Sequence, residues 1–81
     1  EGLMNTFGYY LLGKGKTEDA IKVFTLNVKE YPEAFNVYDS LAEAYMVHGE
    51  KDLAVKYYKK ALEINPEFEN AKRMLQRLTT P

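Results

Sequence analysis

The feature that most constrains this chain is a pattern that repeats at a fixed offset of 34 residues: Gly15 recurs as Gly49, Ala20 as Ala54, Lys22 as Lys56, Pro32 as Pro66 and Glu33 as Glu67. Conservative pairs fill the same register: Phe7 with Leu41, Gly8 with Ala42, Leu11 with Tyr45, Glu18 with Asp52, Ile21 with Val55 and Phe24 with Tyr58. A self-similar period of 20–50 residues marks one supersecondary unit used repeatedly, each copy burying its apolar side against its neighbour. The chain is therefore a stacked array before it is anything else.

Within each copy the apolar residues recur at helical steps of three and four. Leu3, Met4, Phe7, Tyr10 and Leu11 predict a first helix from Leu3 to Lys14, ended by Gly15 in the left-handed conformation. Thr17 is placed to cap a second helix, with Glu18 and Asp19 in its first turn, where the helix dipole favours anions. Ala20, Ile21, Phe24, Leu26, Val28 and Tyr31 carry that helix, with Ala20, Phe24 and Val28 as its clearest stripe. Pro32 stops it and biases Tyr31 away from helical geometry. Helix 3 is predicted from Phe35 to Val47 with Val37, Tyr38, Leu41, Ala44 and Tyr45 inward, and helix 4 from Asp52 to Ile64 with Leu53, Ala54, Tyr57, Tyr58, Ala61 and Leu62 inward. A fifth helix, Glu69 to Leu78, has Ala71, Met74, Leu75 and Leu78 on one side and Lys72, Arg73, Gln76 and Arg77 on the other. That is the form of a polar-backed lid over the last unit.

Composition narrows the function. With 81 residues there is room for one domain, 1–81, close to the size at which a single core supplies only about 3–5 kcal/mol. A net charge of −1 gives no field to hold nucleic acid or anionic lipid, and the absence of Cys removes thiolate chemistry and disulfides. No apolar run approaches the ~20 residues needed to span a bilayer, and no signal-type segment opens the chain, so neither nucleic acid nor membrane is expected as a partner. The first residue is Glu1 and the first Met is Met4, as in a piece of something longer.

Tyr38, Leu41, Ala42, Tyr45, Gly49, Ala54, Tyr58, Ala61 and Pro66, at their spacing, resemble the tetratricopeptide repeat. The first copy agrees at Phe7, Gly8, Leu11, Gly15, Ala20, Phe24 and Pro32, and departs at Met4, where the family has a large aromatic, and at Asn27, where it has a small residue. The resemblance implies an all-α, right-handed α-solenoid of antiparallel helix hairpins: repeat 1 at 3–34, repeat 2 at 35–68 and a C-terminal capping helix at 69–79. The segments LNVKEYP and NVYDSLAEAY also look like repeats behind the catalytic domains of some bacterial serine hydrolases.

By that resemblance the first helix of each hairpin lines a concave peptide groove, here Asn5, Tyr9, Leu12, Asn36, Asp39, Glu43, Met46, Asn70, Arg73 and Arg77, with Gly13 and Val47 beside them. Tyr9, Leu12 and Met46 would anchor apolar groups, and Asp39 is expected to pair with Arg73 across one repeat. The carboxylate clamp by which some family members hold chaperone tails needs Lys, Asn and Arg at slots that here carry Asn5, Tyr9, Ser40, Asn70 and Met74, so that clamp is missing. A second surface is the edge of the opening helix, where Leu3 and Tyr10 stand in the register of Val37 and Ala44. Large apolar groups there call for a cover, a neighbouring domain of the parent or a second copy in a homodimer.

Signals of chemistry are weak. Gly15-Lys16-Thr17 resembles the end of a phosphate-binding loop, but that motif needs Gly where Tyr10 stands and a strand before it. His48 has no nucleophile beside it, and Asp39 and Glu43, one turn apart, are expected to be solvated acids with no burial to raise either pKa. No catalytic residue, metal ligand or cofactor is assigned. The chain is expected to be a non-catalytic protein- or peptide-binding module, the alternatives being a repeat appendage packed on the catalytic domain of a larger bacterial hydrolase, or a self-associating scaffold.

Overall fold

The computed structural model describes residues 2–80, and among these there are five helices and no strand: α1 (Gly2–Gly13), α2 (Thr17–Glu30), α3 (Phe35–Val47), α4 (Lys51–Ile64) and α5 (Glu69–Thr79). α1 and α2 form one antiparallel hairpin, α3 and α4 a second, α2 packs on α3, and α5 closes the stack against α4. The expected helical solenoid is the observed one, and the four helix spans predicted end to end stand within one residue at each end.

The repeat is legible down to the backbone. At the first turn the amide of Lys16 donates to Leu11 (2.9 Å) and that of Gly15 to Leu12 (3.1 Å), with Gly15 at φ +77°. At the second turn Glu50 donates to Tyr45 (2.9 Å) and Gly49 to Met46 (3.1 Å), with Gly49 at φ +88°. Both are the six-to-one and five-to-two pattern of a helix ended on a left-handed residue, which glycine adopts without a Cβ penalty. The next helix in each case begins without a side-chain cap. Lys16 takes the capping position and Thr17 lies inside the first turn of α2, so the expected Thr17 cap is not formed.

Each hairpin closes on a small residue facing an aromatic ring. Gly8 is buried in α1, and a Cβ there would lie 2.2 Å from the ring of Phe24. Phe24 is fully buried and meets Tyr9 edge-on at 5.2 Å. The counterparts one repeat later, Ala42 and Tyr58, are buried in the second core with Ala54, Ala61 and Ala71. Between hairpins, the Tyr38 hydroxyl donates to the Pro32 carbonyl (2.8 Å), tying α3 to the turn before it. His48, which caps the end of α3, sits between Glu18 (3.7 Å) and Glu50 (3.5 Å).

The α2 stripe differs from expectation at its far end. Ala20, Phe24 and the polar Asn27 are the buried residues, Val28 is half-buried, and Leu26 and Tyr31 are exposed. Leu26 stands one step beyond the face that α1 and α3 cover, where the helical period puts it in solvent.

Candidate protein-docking surfaces

The helices that open each unit, α1, α3 and α5, lie side by side and are joined by polar side chains. Ser40 Oγ donates to Asn5 Oδ1, the Tyr9 hydroxyl to Glu43 Oε1 (3.0 Å) and Asn70 Nδ2 to Asp39 Oδ1 (2.9 Å). Five of the residues expected to read a ligand thus bond to one another or to Ser40. Burial holds the Tyr9 phenol well above its ordinary pKa; the Ser40 bond opposes this, while Glu43 and Asp39 add to it. Asp39 is likewise raised, first by burial and then by the Glu43 charge, against the lowering bond from Asn70.

Two expectations change here. Asp39 is not a solvated acid but a half-buried one, because α5 lays Asn70 beside it. Nor does Asp39 pair with Arg73: the partner one repeat along is the amide, and Arg73 and Arg77 are exposed, neither taking part in an ion pair among the described residues. Leu12 and Met46 are half-buried, packed against the first and second cores respectively, and Asn36 is half-buried at the start of α3.

The other surface is the outer side of α1. Leu3, Met4, Thr6, Phe7 and Tyr10 line a shallow apolar depression, with Leu3 87 %, Phe7 52 % and Tyr10 58 % exposed. Their counterparts 34 residues on, Val37, Leu41 and Ala44, are 0 %, 1 % and 0 % exposed, beneath the first hairpin. In α5 the same register gives Ala71, Leu75 and Leu78, of which Ala71 is fully buried and the other two pack against the second core. One face is thus covered twice and open once. Phe7, paired with Leu41 in the repeat register, belongs to this open face beside Leu3 and Tyr10, the two residues that the sequence singles out for it. The register itself carried the signal, since what covers Leu41 is the preceding hairpin.

Residues 40–68 match the family model of the tetratricopeptide repeat. The matched segment runs from within α3 through α4 to the turn before α5. The chain is also 37 % identical over 60 residues, 74 % of its length, to human Superkiller complex protein 3. It spans 4 % of that relative's length. Tetratricopeptide repeats are in general protein-interaction folds rather than catalytic ones. Among the described residues no group of three or more His, Cys, Asp or Glu is placed to hold a metal, and no helix is long and apolar enough to cross a membrane.

Proposed function

We propose that this chain is a non-catalytic protein-interaction module whose principal contact surface is the outer face of α1. The observation that carries this reading is the register: three positions packed against the preceding hairpin in α3 and α5 are open in α1, and occupied by Leu3, Phe7 and Tyr10. α1 contains no charged residue from Gly2 to Gly13. A surface helix normally turns a charged or polar face to water, and the outer side of α1 offers only Thr6 among Leu3, Met4, Phe7 and Tyr10. The partner that fits is a protein unit offering a helix as α2 offers itself to α3. If the chain is the tail of a bacterial serine hydrolase, that unit is the catalytic domain and the face is its seam. The name of the human relative places that protein in a complex, which agrees with an interaction role.

Peptide recognition along α1, α3 and α5 is the second reading, favoured by Arg73 and Arg77, which stand exposed beside the Asp39–Asn70 link and take part in no ion pair among the described residues. An acidic or carboxyl-bearing segment would suit them. With Asn5, Ser40, Tyr9 and Glu43 engaged in bonds among themselves, this reading takes its selectivity from the α5 end of the row.

The test of the principal reading is to fuse one more copy of residues 35–68 ahead of the chain. The expected result is a melting temperature raised by at least about 10 °C, with slower amide exchange in α1. The same fusion to a Leu3→Lys, Tyr10→Lys chain should give no such gain. An unchanged melting temperature with unprotected α1 amides would overturn the reading.

A further inference from the structure

We propose that the outward side of α4 carries a docking site for a short acidic protein segment, in which Lys56 and Lys60 receive two of its carboxylates. Neither reading above uses this surface.

The site is a depression of about 370 Å³ lined by Tyr38, Lys56, Tyr57, Lys60 and Glu63. The Tyr38 and Tyr57 rings lie nearly parallel, 14° apart with centres at 6.5 Å, and Tyr45 continues the row with its ring 10° from that of Tyr57. Two ammonium groups rest on this row: Lys60 Nζ is 6.0 Å from the Tyr38 ring centre and Lys56 Nζ 5.3 Å from that of Tyr57. A surface lysine is ordinarily free to swing and loses that freedom when it pairs. The ring faces attract these two and hold them, so an incoming carboxylate finds them already in place.

Charge decides what the site takes. Lys56, Lys59 and Lys60 are exposed, and none takes part in an ion pair among the described residues. Glu63 lines the same depression and pairs with none of them. Lys56 and Lys60 stand one helical turn apart, the spacing at which like charges weaken a helix. Acids on a partner relieve that repulsion. The chain as a whole carries −1, so the positive charge is a property of this face and not of the molecule.

The repeat supplies an internal control. One repeat earlier the positions of Tyr38, Lys56, Tyr57, Lys60 and Glu63 hold Met4, Lys22, Val23, Leu26 and Lys29. α2 forms a helix of the same 14 residues' length with neither the tyrosine nor the second lysine on that side. Helix formation therefore does not demand Tyr57 or Lys60.

Spacing sets the length of the segment. Lys56 and Lys60 are about 6 Å apart along the helix at 1.5 Å per residue, and alternate side chains of an extended strand, which share one side, recur at about 6.6 Å. Two acids separated by one residue match. Asp52 stands one turn before Lys56, and Glu63 in the turn after Lys60, so a longer anionic track is repelled at both ends. That favours a short acidic peptide over single-stranded nucleic acid, whose phosphates would continue past both.

The experiment titrates the isotopically labelled 81-residue chain with a peptide carrying Asp-Gly-Asp among glycines and serines, both ends blocked. Amide resonances of α4 and of the start of α3 should shift, with a Kd of about 1 mM in a titration to about 5 mM. The same peptide with Asn-Gly-Asn should shift none. Lys56→Gln with Lys60→Gln should weaken binding at least about fivefold, and raising salt from about 0.05 to about 0.5 M should weaken it too. Both lysines are exposed, so circular dichroism should find this variant as helical as the parent. Arg73→Gln with Arg77→Gln should leave binding unchanged. Loss with the arginines and not with the lysines would move the acidic partner to α5 and overturn the proposal. So would an absence of shifts over that range, equal binding of the amide peptide, or an oligothymidylate bound more tightly than the acidic peptide at equal salt.

Discussion

Positions 3, 7 and 10 and positions 37, 41 and 44 occupy one register of one fold, yet the first three face outward and the second three are sealed. The local structure is the same: both sets lie on helices that end in the same glycine turn and pack the same way on their own hairpin partners. What differs is the neighbour. The burial of a repeat residue is therefore a property of its place in the array as much as of its own helix, as nearest-neighbour stacking requires. The other end makes the contrast sharper. α5 covers α4 with Ala71, Leu75 and Leu78 and turns Lys72, Arg73, Gln76 and Arg77 outward, whereas α1 has no polar back to turn.

The comparison is broken most directly by truncating one residue from each set. Leu41→Ala should cost about 2–5 kcal/mol, the range for a sealed leucine, enough to leave a chain of this size largely unfolded at room temperature. Phe7→Ala, at the matched position, should cost under about 1 kcal/mol because more than half of the ring is already in water. Urea titration followed by circular dichroism measures both, and equal losses would mean that the two faces do not differ energetically.

A smaller effect separates the two sides of α1 itself. Gly8→Ala drives a methyl group against the fully buried Phe24 ring and should cost about 1–3 kcal/mol. Gly13→Ala, where a Cβ meets open space, should be neutral or stabilise by up to about 1 kcal/mol through the unfolded chain. A Gly8→Ala variant as stable as the parent would show that the hairpin seam is loose.

Much of this was readable from residues. The offset between Gly15 and Gly49 located both turns, and Pro32 and Pro66 at the same offset marked the ends of α2 and α4, because backbone geometry is specified locally. Leu3 and Tyr10 were recognisable as unusual because they are larger than Val37 and Ala44. Phe7 was not, since a large residue facing Leu41's register looks like core until one asks what lies above it. The bonds of Asp39 were equally hidden. Arg73 lies the expected one repeat away, yet the partner is Asn70, three residues nearer, and side-chain reach between neighbouring helices is not set by sequence spacing.

The joined side of α1 yields a weaker test than its open or seamed sides. Tyr9→Phe keeps the ring against Phe24 and removes only the hydroxyl that donates to Glu43, so a loss of about 0.5–1.5 kcal/mol is expected. A change within error would reduce the α1–α3 link to shape alone.

Smallest of all is the pH dependence owed to Asp39. Burial raises its pKa in the folded chain, so the folded state binds the proton more tightly than the unfolded state does. Its contribution is therefore fully present in acid, below the ordinary carboxylate pKa of about 4, and fades as pH rises through the raised value. Asp39→Asn keeps an oxygen to accept from Asn70 and cannot ionise. Relative to the parent, this variant should gain stability as pH is taken from about 3 to 7, because only the parent loses a favourable term over that interval. The difference in melting temperature between the two proteins, followed across that interval, decides it. A difference that is flat with pH would mean that water reaches Asp39 freely, and a difference of opposite slope would mean that the bond from Asn70 outweighs burial.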